Sequence, residues 1–279
     1  MPPATNSLER ALAVLEILEA AAGGLRHTEI SARLRIPKST CSYILARLEQ
    51  RGYLARDPAT GRYRLGLTPV ALAHGALREL GVRSIAEPAL YKLASETGLS
   101  AGIGVLERGR VLIVDRVEGA EFVRDAVQIA EGLPPRWTAA SRKYRVRADR
   151  DVGRELPAHS TALGKVLLAH LPREQVLALI AELGLARHTR KTIVSRTRFL
   201  EELEQVRRQG YATADEEHHS GFRSIAAPIY GSAAAVTAAV ALNGGPAEAA
   251  WRDPAALIER VRAAGREISR RARGGRSID

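Results

Sequence analysis

The sequence predicts an α+β protein in two parts, and three observations carry that prediction. Residues 7–65 read as three short helices followed by a basic hairpin. Beyond Val82 the order becomes helix, short β-branched runs, several helices and β-branched runs again, which suits a largely antiparallel sheet. The length, 279 residues, accommodates two domains of ordinary size.

Ser7 is a candidate cap for a first helix in which Leu8, Ala11, Leu12, Leu15 and Leu18 keep a helical stripe up to Gly23-Gly24. Thr28 is a candidate N-cap for a second helix carrying Ile30 and Leu34, with Arg35-Ile36 as the turn. Pro37 suits the first position of a third helix, where its missing N–H would be unpaired anyway. There Cys41, Ile44, Leu45 and Leu48 form one apolar stripe, and Gly52 supplies the left-handed residue past the end. Tyr53–Arg56 and Arg62–Leu65 read as strands around Asp57-Pro58-Ala59-Thr60-Gly61.

The other face of the third helix carries Lys38, Ser39, Thr40, Ser42, Tyr43, Arg47 and Gln50. Hydroxyls and cations on a helix before a cationic hairpin suit a winged helix-turn-helix. The helix would meet base edges in the major groove, and Arg56, Arg62 and Arg64 would lie near phosphates. A small helical hairpin with a solvated basic face would leave the same pattern.

Residues 67–80 are again helical by pattern, with Gly81 after them, and read as a connector. In the second part Ile85, Ala89, Leu90 and Leu93 mark a helix closed by Gly98. Runs 101–106 and 111–117 flank the turn Glu107-Arg108-Gly109, helices are expected near 162–170, 173–183 and 197–209, and strands at 224–230 and 235–242. Asp253 and Pro254 begin a last helix that frays into Arg270-Arg271-Ala272-Arg273. The stretch 122–156, containing RKYRVRADR, reads as solvated surface or as a further nucleic-acid or partner contact.

Lys and Arg number 42 against 31 Asp and Glu, a net charge of +11 that favours a polyanionic partner. Residues 1–67 hold ten Lys/Arg and six Asp/Glu, a net of +4, so the excess is spread along the chain. The single cysteine, Cys41, cannot form an internal disulfide and sits on an apolar stripe as a small core residue. No signal peptide and no apolar run long enough for a bilayer is visible, so a cytoplasmic protein without membrane contact is expected.

The chain resembles the IclR family of bacterial transcriptional regulators along nearly its whole length. The matching patterns are SLERALAVLEIL (7–18), TEISARLRIPKST (28–40), LEQRGYL (48–54), GRYRLG (61–66), RSIAEPALYKLASETG (83–98), LPAHSTALGKVLLA (156–169), GYATADEE (210–217), GFRSIAAPIY (221–230) and AAVALNGGP (238–246). The resemblance implies a winged helix-turn-helix over 1–66, a connector helix over 67–81 and a GAF-like effector-binding domain over 82–279. It further implies a homodimer or homotetramer on palindromic double-stranded operator DNA, often as a repressor. A small-molecule effector, an organic or aromatic acid, would modulate it, with no cofactor. By the same resemblance Ala162, Leu163, Asp215, Ser224, Ala241 and Asn243 line the effector pocket. Ser160 and Thr161 stand where a helix begins, and free amides there favour an anion. Taken singly, Thr161 or Ser160 could be a helix cap, and Asn243 a turn residue before Gly244-Gly245. Two features depart from the family: Tyr43 stands where Arg is frequent, and 122–156 is a longer connection than usual.

Two patterns bear on catalysis and metal binding. Gly98-Leu99-Ser100-Ala101-Gly102 matches G-x-S-x-G, but a helix precedes it and a strand follows, the reverse of a nucleophile elbow. His218-His219 beside Asp215, Glu216 and Glu217 lack metal-ligand spacing and read as a polar loop. Neither an enzyme nor a metal site is expected.

Overall fold

A computed structural model describes residues 6–119, 152–231, 233–245 and 248–274. The RKYRVRADR run and most of 122–156 lie outside them. The chain divides into two compact units, Met1–Glu79 and Leu80–Asp279.

In the first unit, α1 (Ser7–Glu19) is capped one residue earlier than Ser7, because Asn6 Oδ1 accepts the Glu9 amide at 2.9 Å. Thr28 is likewise not the cap of α2 (His27–Leu34). A two-residue strand β1 (Leu25–Arg26) runs straight into that helix and puts Arg26 at the N-cap. Glu29 then reaches back, and its Oε2 accepts the Arg26 amide at 2.6 Å. In the turn, Ser31 Oγ donates to the Ile36 carbonyl at 2.7 Å. Pro37 is the N-cap of α3 (Lys38–Gln50), whose Cys41, Ile44 and Leu45 pack on Val14, Leu18 and Ile30. Burial raises the Cys41 thiol above its ordinary pKa, in keeping with a core residue. Gly52 has φ +74°, and a Cβ there would come within 2.7 Å of Thr68 Oγ1. The hairpin β2 (Leu54–Arg56) and β3 (Arg62–Leu65) joins β1 in a three-stranded antiparallel sheet ordered β1-β3-β2. Asp57 Oδ1 holds its turn by accepting the Ala59 and Thr60 amides at 2.8 and 3.0 Å. Helix α4 (Thr68–Glu79) follows and buries no residue within the chain.

The second unit is built on α5 (Val82–Thr97) and the strands β4 (Ser100–Glu107), β5 (Arg110–Val117) and β6 (Glu155–Pro157). Then come α6 (Ala162–Ala169), α7 (Arg173–Leu183), α8 (Arg196–Gln209), β7 (Ala212–Asp215), β8 (Arg223–Tyr230), β9 (Val236–Gly244) and α9 (Pro254–Gly274). The six strands form one wholly antiparallel sheet ordered β6-β5-β4-β9-β8-β7. Short edge strands β6 and β7 carry too few residues to show a period, and neither was expected from the sequence. Helices α5 and α9 cover one face and α6 the other, with α8 packed on α6. The last helix does not fray at Arg270. Ile268 and Ala272 bury against the sheet, and Ser269 Oγ accepts the Tyr230 amide at 2.9 Å, so the helix runs to Gly274. No described helix is long and apolar enough to cross a membrane.

Candidate functional site

The α6 face of the sheet is made of small residues. Antiparallel pairs share a face, so Ala212, Ala226, Ala241 and Gly102 form one row across β7, β8, β9 and β4. Ala214, Ser224, Asn243 and Ser100 form the next. Small side chains let α6 lie close, and its own Gly164 extends the approach. A Cβ on Gly164 would come within 2.1 Å of the Ala158 carbonyl oxygen. Where the row becomes polar, the layers part into a cavity that opens to solvent. Thr161 caps α6, its Oγ1 accepting the Gly164 amide at 3.3 Å. The hydroxyls of Ser160, Thr161 and Ser224 and the amide of Asn243 line the cavity with Ile113, Leu156, Leu163 and Phe222. Arg154 lines it too, with Arg116, whose guanidinium is paired with the Glu118 carboxylate at 2.6 Å. Apolar walls, a few polar groups, two cations and a helix N-terminus can hold a small organic anion.

Of the eight residues expected at this site, Ser160, Thr161, Ala162, Leu163, Ser224 and Asn243 line the cavity. Asn243 is a strand residue, paired with Ser100 and Ser224, and not a turn residue. Ala241 faces the same way but is fully buried under α6. Asp215 lies outside the cavity. Along β7 Ala212 and Ala214 point inward, so Asp215 points out, and its carboxylate meets Lys191 Nζ at 2.8 Å and Arg223 Nε at 2.5 Å. Sequence reasoning missed Arg116, Arg154, Glu217 and Phe222, which come from three separate segments; Glu217 and Phe222 lay within quoted motifs but were not assigned to the site.

Beneath the cavity sits Lys165, with its side chain 1% exposed. Its Nζ donates to Glu202 Oε1 at 2.9 Å, the Thr213 carbonyl at 3.0 Å and Glu217 Oε1 at 2.6 Å. All three ammonium protons are thereby used. Burial raises the Glu217 carboxyl above its usual pKa, against the opposing pull of Lys165.

Four imidazoles run beside this network. Ring centroids lie 5.4 Å apart for His159–His188, 5.0 Å for His188–His218 and 3.8 Å for His218–His219. Burial, then the neighbouring His219, pushes His218 down to about 3; burial, then Arg154, pushes His219 down to about 4. Both are neutral at ordinary pH. Among the described residues no group of three His, Cys, Asp or Glu could hold a metal ion. Ser100, the centre of the G-x-S-x-G pattern, opens β4 and donates to Glu118 Oε2 at 2.7 Å. Its hydroxyl is a fastener between strand ends.

On the first unit Lys38, Ser39, Ser42, Tyr43 and Arg47 are exposed along α3, and Thr40 is half-buried. Tyr43 is 61% exposed, with the Arg47 guanidinium 5.4 Å from its ring centroid. Arg47 also donates to Gln50 Oε1 at 3.1 Å, and Ser42 Oγ is 3.0 Å from His27 Nε2. On the hairpin Arg56 and Arg64 are exposed. Arg62 is turned inward, donating to the Gly24 carbonyl at 2.7 Å and facing Glu29 Oε2 at 3.4 Å. Pairing of β1 with β3 brings those acceptors to it, so it fastens the wing instead of projecting from it.

Residues 7–58 match the family model described as the IclR helix-turn-helix domain, and residues 139–270 match that of the bacterial transcriptional regulator IclR C-terminal. The HTH-type transcriptional regulator XynR of Escherichia coli is 30% identical over 268 residues, covering 96% of this chain and 97% of the relative. BhcR of Paracoccus denitrificans, also named an HTH-type transcriptional regulator, is 31% identical over 95% of this chain and 86% of its own. Among solved structures, an IclR homolog from Microbacterium hydrocarbonoxydans complexed with 4-hydroxybenzoate superposes with a TM-score of 0.76. It is 23% identical and covers 97% of this chain and 100% of its own.

Proposed function

The chain belongs to the IclR family of transcriptional regulators and is not an enzyme, and we propose that it reads palindromic operator DNA as a dimer or dimer of dimers under control of an organic acid. Residues 1–66 are the reading head, 67–81 the connector and 82–279 the effector-binding part. The exposed row Lys38, Ser39, Ser42, Tyr43 and Arg47 supports the head, with Thr40 beside it and Arg56 and Arg64 for phosphates. Tyr43 in place of an arginine supplies one hydroxyl and an apolar ring, which alters base preference without removing the helix from the groove.

The observation that carries the effector reading is the cavity at the N-terminus of α6, lined by hydroxyls, the Asn243 amide and two arginines. A carboxylate sits there against the first-turn amides, and its apolar body lies on Leu163, Phe222 and Ile113. Pairing of subunits is supported by uncovered apolar side chains on the first unit, among them Leu8, Leu12, Leu67 and Val70.

The test is DNA protection on upstream DNA at fixed salt, with and without a panel of carboxylic acids that includes 4-hydroxybenzoate. The expected result is a protected palindrome whose occupancy one acid shifts. Effector and DNA must then alter each other's affinity by the same factor. An acid that binds free and DNA-bound protein equally well would refute the regulatory reading. Protection without any dyad symmetry would refute the paired one.

A further inference from the structure

Helix α9 concentrates charge in a way the reading head does not account for. Its 21 residues, 254–274, hold six arginines and two glutamates, a net of +4, equal to the net charge of residues 1–67. The arginines are not spread evenly around the helix. Arg262, Arg266, Arg270 and Arg273 are spaced by four, four and three residues, which at 3.6 residues per turn keeps them on one flank. That flank forms one wall of a surface groove floored by Ala227, Pro228 and Tyr230. No carboxylate lines the groove among the described residues.

Neighbouring charges do not use up this row. Glu259 is paired with Arg262 at 2.7 Å, and Glu267 turns to Arg271 at 2.7 Å, off the groove. Arg266 and Arg270 are exposed, and no carboxylate pairs with either among the described residues. Arg273 lies 6.0 Å from the Tyr230 ring centroid, which orients it without neutralising it. The guanidinium fork matches phosphate oxygens, and a row about 16.5 Å long, at 1.5 Å rise per residue, suits an extended polyanion rather than a single small ion.

We propose that the α9 groove is a second, sequence-independent contact for the phosphate backbone of duplex DNA. This rests on the reading that the winged head binds DNA. A duplex held there is present at high effective concentration for any other basic surface of the same molecule. The groove thereby adds affinity and salt dependence but no base preference.

The experiment uses the full chain and the variant R266A/R270A, with binding to duplexes of about six and about two helical turns measured across a salt series. On the long duplex the variant is expected to bind roughly tenfold more weakly, with a log–log salt slope smaller by about 2. R266K/R270K, which keeps the charge, restores most of the slope. Melting temperature and acid binding remain those of the wild type, since neither arginine touches the cavity. A variant with wild-type affinity and slope on the long duplex overturns the inference. So does a groove that binds polyglutamate, in a manner lost in the variant, while duplex binding is untouched. If the wild type binds neither duplex, the DNA reading itself fails; if only the double variant is unchanged, that reading stands and this contact alone is lost.

Discussion

At the scale of single residues, Lys165 shows most clearly how context changes a side chain's meaning. In sequence it is the last residue of HSTALGK, close to the helix start expected to favour an anion. In the fold it is buried and gives every proton to Glu202, Glu217 and the Thr213 carbonyl. It supports the cavity floor and does not reach a ligand. Replacing it strands a buried carboxylate, a loss of about 3–5 kcal/mol when one member of a buried pair is removed. Lys165→Met is therefore expected to lower the urea midpoint of the second unit's unfolding strongly. K165M/E217Q should recover part of the loss, because the unpaired charge is gone. Equal stability of the single variant and the wild type would show that the network contributes nothing. Arg62 carries the same lesson on the wing. A cation expected at phosphate is held by a backbone carbonyl that only β1 brings within reach.

At the scale of elements, α6 is positioned by the absence of side chains. Gly164 faces the Ala158 backbone, and a methyl group at 2.1 Å from its carbonyl oxygen must shift the helix or the segment that leads into it. Gly164→Ala is expected to cost about 1–3 kcal/mol, the range for overpacking, and to abolish acid binding, since the helix N-terminus moves with the strain. Thermal melting with calorimetric titration of an acid that the wild type binds tests both. Full acid binding by the variant would mean that α6 can move without disturbing the cavity. Helix α4 presents the opposite case. It has ordinary helix-forming residues but buries none of them; Val70 stays 64% exposed, and Leu67 just before it 83%. If a second copy covers this element, L67D/V70D should shift the sedimenting species toward monomer and weaken operator binding without lowering the melting temperature of the second unit. A variant that keeps the wild-type mass places the subunit contact elsewhere.

At the scale of the whole molecule, the histidine row sets a pH limit on the second unit. The pKa of His218 is about 3 in the fold against an ordinary value of 6.5, so the unfolded chain binds more protons between those values. Stability is complete above pH ~6.5 and declines as pH falls toward 3; at pH 5 this one group costs about 2 kcal/mol. His219, lowered to about 4, acts in the same direction. The denaturation midpoint should therefore fall between pH 7 and pH 5, and His218→Gln should flatten that slope; an unchanged slope would remove His218 as its source. The winged head and the helix pattern of the second part were readable from the sequence, because period acts over a few neighbouring residues; Ser160 and Thr161 followed from the helix start, whereas Ala162, Leu163, Ser224 and Asn243 came only from the family resemblance. Three features were beyond it. Which way Asp215 points depended on the pairing of a four-residue strand too short to show a period. Arg116, Arg154 and Phe222 enter the cavity only when strand order β5-β4-β9-β8 closes segments far apart in the chain. The run of α9 through Arg270 depended on Ala272 and Ser269 finding partners on β8. Local rules determined the elements and the motif that opens α6, whereas the cavity walls, the buried lysine's partners and the arginine groove were decided by contacts between residues distant in sequence, whose energies no single segment carries.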